Sequence, residues 1–208
     1  MAVPVVHKQL QASTMSINIA VIPVGLLRSR GWIQQGFCRT DVEILSELDP
    51  LMQPMWRPHA EQDTTVKQPI AYAVVRRGDE IFVTERLKGG VESRLHGVLS
   101  VGIGGHVDEP FATHDKVRDA MRREWCEEVN CSHEPEWSWL GLVNDDEIEV
   151  GRHHLGCVFE ARLPLGATLE LLEPHKLRGW WTTPAELMRE PERLESWSAF
   201  VVHALRSW

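Results

Sequence analysis

The chain has 208 residues, is 43% hydrophobic and 25% charged, and carries a net charge of −8 at pH 7. This is the composition of a globular protein, long enough for one good core and some covering structure. The absence of any lysine- or arginine-rich block argues against broad nucleic-acid or membrane-surface binding, and no run of about 20 apolar residues marks a membrane span.

In chain order, residues 1–15 lack the apolar centre of a secretory leader and are expected to be a poorly ordered lead. Met15 is a candidate internal start, because the strand-like alternation of INIAVIPV begins only after it. Residues 41–53 suggest a short helix closed by Pro54, and 54–69 a polar connection. IAYAVVRR (70–77), a Gly-Asp turn and EIFVTERL (80–87) predict a β-hairpin. LSVGIGG (99–105) predicts a strand ending at the glycines. A helix follows from about His114 to Val129, with Thr113 as its cap. WSWLGLVND (137–145) and HHLGCVFEARL (153–163) predict two more strands around an acidic loop, with His153 and His154 on opposite strand faces. RGWWTT (178–183) predicts a short strand. Thr183-Pro184-x-Glu186 starts a helix, and a last amphipathic helix spans about 192–205. The pattern is α/β, a mixed sheet covered by helices on both faces. The expected organisation is a lead (1–15), an extension packed on the core (16–67) and a main domain (68–208). Cys38, Cys126, Cys131 and Cys157 form no zinc-like cluster and fit free thiols in a reducing compartment, so a cytoplasmic location is expected.

The chemistry concentrates between Gly104 and Asn130. At 100° per residue, Val117, Ala120, Met121, Glu124, Glu127 and Glu128 share one helix face. Acidic runs on helices are usually solvated faces. Here the carboxylates continue an apolar stripe, where more core residues were due. Like charges at these spacings repel, and burial raises the cost. A divalent cation relieves both, since hard cations take oxygen ligands from carboxylates and from substrate phosphates.

This segment resembles the signature of the Nudix hydrolases: a glycine, five residues, Glu, seven residues, then Arg-Glu-apolar-x-Glu-Glu-x-Gly-apolar. Gly105 matches the opening glycine, and Arg123, Glu124, Trp125, Glu127 and Glu128 match the helix half. Asp115 stands where the family usually has Glu, Asn130 where Gly is usual, and the loop from Gly105 is four residues longer than the pattern. Asp108, Glu109 and Asp115 are the acids this loop can bring to an ion.

The resemblance implies a Nudix-like α/β/α sandwich and metal-dependent hydrolysis of a diphosphate (pyrophosphate) linkage in a nucleoside diphosphate derivative. It implies Mg²⁺, or Mn²⁺, held by Glu124, Glu127, Glu128 and the Gly104 carbonyl, with Asp115 a further candidate. Arg123 is expected to pair with a motif acid and orient it. His106 and the pair Asp145 and Asp146 are candidate substrate contacts. Glu147, Glu149, Glu170 and Glu173 are further candidates for an acid beyond the motif. Competing functions are a non-catalytic nucleotide-binding domain on the same fold and a prenyl diphosphate isomerase. The isomerase would need a reactive cysteine in a recognisable context, and none is seen. The partner implied is a small phosphorylated molecule. Nine tryptophans offer rings for a core, a base or a homodimer interface. Trp125 is expected to be packing, while Trp32 and Phe37 either line the pocket or cover it.

Overall fold

The computed structural model describes residues 18–87, 97–109 and 114–205. The chain runs β1 (Asn18–Pro23), α1 (Val24–Ser29), β2 (Gly36–Arg39), α2 (Ile44–Leu48), β3 (Gln53–Trp56), α3 (Arg57–Ala60), β4 (Val66–Arg77) and β5 (Glu80–Arg86). It continues β6 (Leu99–Ser100), β7 (Gly102–Ile103), α4 (Lys116–Glu128), β8 (Val129–Cys131), β9 (Glu136–Asn144) and α5 (Glu149–His153). It closes with β10 (His154–Leu163), β11 (Leu169–Leu171), β12 (Leu177–Thr182), α6 (Pro184–Leu187) and α7 (Ser196–Leu205).

The main sheet has the order β12-β5-β4-β10-β9-β2, with β1 and β3 continuing from the start of β4. The pair β4–β10 is parallel and its neighbours are antiparallel, so the sheet is mixed. One face is covered by α1, α2 and α4, whose Leu27, Leu45, Leu48, Val117, Ala120 and Met121 pack on Ala71, Ala73, Leu142 and Cys157. The other face carries α6 and α7, with Leu187, Val201, Val202 and Leu205 against Val74, Val83, Val143 and Val158. This is the α/β/α sandwich that the alternation predicts.

A register shift in the β9–β10 pairing lies between Val158 and Phe159. It skips Leu140, so Trp137, Trp139 and Leu142 lie on the α4 side and Leu140 on the other. Gly141 at φ +150° makes this fit, since a Cβ there would sit 2.1 Å from the Cys38 carbonyl oxygen.

Several elements differ from the sequence reading. β4 begins at Val66, within the expected connection, and β3 and α3 fill much of the rest. Pro54 lies in β3; the helix of residues 44–48 runs instead into a 3₁₀ turn at Asp49–Leu51. His153 closes α5 and only His154 belongs to the strand. The last helix begins at Ser196, after a 3₁₀ turn at Pro191–Arg193. Phe37 sits in β2 opposite Val143 and Trp32 packs on the α4-side core, so both cover the sheet. Residues 1–15 and Thr113 lie outside the described residues.

The start of α4 is held from a distance. Asp115 occupies the N-cap position but its side chain makes no cap bond. The buried carboxylate of Asp49 accepts the Lys116 amide instead, at 2.8 Å, and Lys116 Nζ donates to the Asp49 carbonyl at 2.7 Å. Burial raises the Asp49 carboxyl, and the amide bonds from Lys116 and Val117 oppose that. A carboxylate at the positive end of a helix does the work of a cap. Asp49→Ala is therefore expected to destabilise the fold by about 1–2 kcal/mol, lowering the melting temperature by roughly 2–8 °C. Asp49→Asn should lose less, because it keeps an acceptor. Thermal melts of the two variants check this, and an unchanged Asp49→Ala melt would remove the proposed role.

Candidate active site

The site is built where β7 ends and the last turn of α4 crosses it. Gly104 has φ +146°, and a Cβ there would lie 2.0 Å from the Ala71 carbonyl oxygen. At Gly105 a Cβ would meet the Glu124 carboxylate at 2.4 Å. Both glycines are thus set by close approach, one to a neighbouring strand and one to a motif acid. The Gly105 carbonyl accepts the Ala71 amide at 2.9 Å, which ties this turn to β4.

Arg123 organises the acids. Its Nη1 lies 2.8 Å from Glu124 Oε1 and 3.1 Å from Glu127 Oε2. Its Nη2 donates to the His106 carbonyl at 2.7 Å and pairs with Asp108 Oδ2 at 3.2 Å. A planar guanidinium can hold several acceptors in a fixed fork, and here it joins the loop after β7 to the helix. Glu124 is buried, Glu128 half-buried and Glu127 exposed. Burial raises the Glu124 carboxyl, opposed by Arg123. Glu128 is pushed up to about 7, first by burial and then by the Glu124 charge, while a bond from the Gly104 amide pulls the other way.

These acids end a helix whose last turn has no basic residue. The negative end of the helix dipole makes that placement unfavourable for carboxylates. Among the described residues no three His, Cys, Asp or Glu side chains are arranged to hold a metal ion as they stand, and Arg123 is inserted among Glu124, Glu127 and Asp108. The donor set is oxygen-rich and short of positive charge, which fits a hard divalent cation.

The other predicted residues fall differently. Asp115 pairs with Arg118 at 3.0 Å at the opposite end of α4. Nine residues of helix put it about 13 Å along the axis from Glu124, so the stretched loop leaves Asp115 away from the acid cluster. Asp108 takes the place beside Arg123 instead. Asp145 is buried and accepts Gln35 Nε2 at 2.7 Å and the Glu147 amide at 3.0 Å. Burial would raise its carboxyl, but hydrogen bonds from Ser196, Gln35 and the Glu147 and Ile148 amides hold it below the usual range. Asp146 pairs at 2.7 Å with Lys67, whose buried ammonium also donates to the carbonyls of Gly151 and His154. Both aspartates therefore hold the β9–α5–β10 turn; Asp145 is buried in it, whereas Asp146 stays exposed beside Lys67. Glu173 is the candidate outer acid whose charge acts on Glu128, and the neighbouring Leu172 amide donates to the Glu128 carbonyl at 2.9 Å.

His106 Nε2 bonds Gln68 Oε1 at 2.9 Å, and its ring meets that of His154 edge-on at 5.4 Å. Trp125 is buried against Trp137, with ring centroids 5.3 Å apart, which is the packing role expected. Trp137 and Trp139 line a separate cavity of about 270 Å³ with Arg118, Met121, Arg122 and Phe159. None of the motif glutamates lines it. All four cysteines are free, and burial drives the Cys157 thiol up.

Comparison with known proteins identifies the family that shares this fold and this arrangement of acids. The model of the NUDIX domain matches residues 66–205, and the chain belongs to this family. It is a Nudix-type pyrophosphohydrolase. Protein YmaB of Bacillus subtilis (strain 168) is 41% identical over 170 residues, covering 78% of this chain and 82% of YmaB. The crystal structure of Tm1382, assigned to the Nudix hydrolases, superposes with a TM-score of 0.77 at 31% identity, over 91% of this chain and 98% of Tm1382. A MutT protein from Methanosarcina mazei Go1 shares the fold, with a TM-score of 0.52 at 18% identity over 68% of this chain and 94% of that one. Members of the family typically hydrolyse nucleoside diphosphate derivatives and generally use divalent metals. No helix among the described residues is long and apolar enough to cross a membrane.

The imidazole pair yields a prediction on stability. Burial lowers both groups, and His106 falls to about 3. The unfolded chain takes up these protons near pH 6.5, while the folded chain stays neutral well below that. Stability is therefore lost as pH falls through about 6.5 toward the folded values. His154→Asn keeps a donor for the Val150 carbonyl, which His154 Nδ1 reaches at 2.7 Å. Urea titrations at pH 7.5 and about 5 should show a smaller acid loss in this variant; equal losses would mean that His154 is not involved.

Proposed function

We propose that the chain hydrolyses the pyrophosphate linkage of a nucleoside diphosphate derivative with Mg²⁺, or Mn²⁺, held by Glu124, Glu127, Glu128 and the Gly104 carbonyl. The observation that carries this reading is the acid cluster at the C-terminal end of α4, knitted to the Gly104–Asp108 loop by Arg123. Bound there, such an ion neutralises phosphate charge and lowers the pKa of a coordinated water. Arg123 fixes Glu124 and Glu127 relative to the loop, so the acids keep one orientation as substrate arrives. Glu128, whose charge is the least compensated by the fold, gains most from a bound cation and is suited to serve as one of its ligands. Glu173 is the candidate acid beyond the motif to assist it. His106, neutral across the physiological range, lies next to the glycine turn and can face the phosphates. A cytoplasmic setting and a homodimer are the remaining parts of the proposal.

A Mg²⁺-supported hydrolysis screen over nucleoside triphosphates, dinucleoside polyphosphates, nucleotide sugars, NADH, ADP-ribose and capped RNA tests the reaction and finds the substrate. On that substrate, Glu127→Gln and Glu128→Gln should each lower kcat by roughly 100-fold or more while melting near the wild-type temperature. Calorimetry with Mn²⁺ should show clearly weaker binding to Glu128→Gln. Normal kcat in both variants, or wild-type Mn²⁺ affinity in Glu128→Gln, would overturn the assignment.

A further inference from the structure

The segment before Val66 lies outside the part of the chain matched by the family model, yet it reaches the site loop. Ile19 of β1 forms a bridge with Asp108, and the Ala20 and Glu109 amides bond the carbonyls of Val107 and Asn18 at 2.7 and 3.0 Å. Asn18 Nδ2 also donates to Glu109 at 2.9 Å. On its other side β1 pairs with β3, with Asn18 opposite Trp56 and Ile19 opposite Met55. Adjacent strands are about 4.8 Å apart, so the end of β3 lies roughly 10 Å from the Asp108 backbone, which carries the side chain that Arg123 grips.

Two side chains at that end carry groups that their own contacts do not use up. Trp56 is 42% exposed, a large ring left facing solvent, and it is braced edge-on by His59 with centroids 4.6 Å apart. Arg57 follows it. Its Nε bonds Glu61 at 2.8 Å in an exposed i,i+4 pair. Such a pair adds little stability, and a guanidinium has further N–H donors to offer. Arg57 follows directly on the β3 end that the β1 pairing sets beside the Asp108 segment, and its charge acts to lower the His106 and Asp108 groups accordingly.

We propose that Trp56 and Arg57 form an outer subsite of the hydrolytic centre, in which Arg57 pairs with a phosphate oxygen of a nucleoside diphosphate derivative and Trp56 stacks on its base. The inference rests on the function proposed above and deepens it. Stacking on a bare ring tolerates every base, so the subsite selects a nucleoside over a plain polyphosphate without choosing among nucleosides. A guanidinium suits the phosphate because it can meet two oxygens in one plane. The extension would thereby supply the recognition that the acid motif, which meets only ions and phosphates, does not.

The test is calorimetry on the full chain with Mn²⁺ present, using ADP and inorganic pyrophosphate as probes. Wild type should bind ADP more tightly than pyrophosphate. Trp56→Leu should weaken ADP roughly tenfold and leave pyrophosphate unchanged, and Trp56→Phe should restore most of the loss. Arg57→Gln should weaken both probes. Arg57 is exposed, so this variant carries the test if Trp56→Leu melts early. Unchanged affinities in Trp56→Leu and Arg57→Gln, or equal wild-type affinity for the two probes, would overturn the subsite while leaving the hydrolase reading intact. Failure of wild type to bind either probe would count against both.

Discussion

The contact on which the site depends is Arg123 lodged among Glu124, Glu127, Asp108 and the His106 carbonyl. One guanidinium crosses from the helix to the loop and fixes both. Without it, Glu124 would be a buried acid packed against the Cα of Gly105 with its charge opposed by little. Burial of an unpaired carboxylate is costly. The two glycines and the arginine therefore form one device: the glycines let the helix and the β4 backbone come close, and Arg123 makes that closeness tolerable.

The same reasoning explains why the N-terminal segment is woven into the fold. β1 pairs with the start of β4 and bridges to Asp108, so it lines one wall of the site loop. Asp49 satisfies amides at the far end of the helix that bears the acids. That helix is gripped at its start by Asp49 and near its end by its own arginine, and its apolar stripe is pressed on Ala71 and Ala73. Its carboxylates are placed by tertiary contacts at both ends, which suits a site that must hold charge in one geometry. The Tm1382 match covers 91% of this chain, more than residues 66–205 could supply, so most of this segment is shared with that structure.

What was legible in the sequence is what is local. The face of α4 follows from 100° per residue, and the β4–β5 hairpin from alternation around Gly78-Asp79. The Thr183–Glu186 capping box was readable because its parts are three residues apart. Less legible features depend on pairs distant in sequence. Asp49 bonds a residue 67 positions away, and nothing near Asp49 announces a helix end to satisfy. Asp108, Glu109 and Asp115 were equivalent as loop acids until the helix start fixed Asp115 at the wrong end. Asp145 and Asp146 looked unpartnered because they follow a strand. Their partners, Gln35 and Lys67, come from elements far upstream. The register shift at Leu140 also escaped, since alternation alone cannot say where a strand slips by one residue.

The position of the acids within α4 is itself informative. A sequence optimised only for stability would place carboxylates in the first turn of a helix and cations in the last. This chain does the reverse, with Glu124, Glu127 and Glu128 near the end and no basic residue in the last turn. Each misplaced carboxylate costs roughly 0.3–1 kcal/mol at an exposed helix end, and more when partly buried. Arg123 offsets part of this for Glu124 and Glu127, whereas Glu128 gains mainly an amide from Gly104 and the charge of Arg86. Local rules tend to be broken at functional or strained sites, and here they are broken most at the acid that the fold compensates least. The shortage of positive charge is therefore concentrated around Glu128, at the crossing of helix and glycine turn, which is where a cation would bring the largest electrostatic relief.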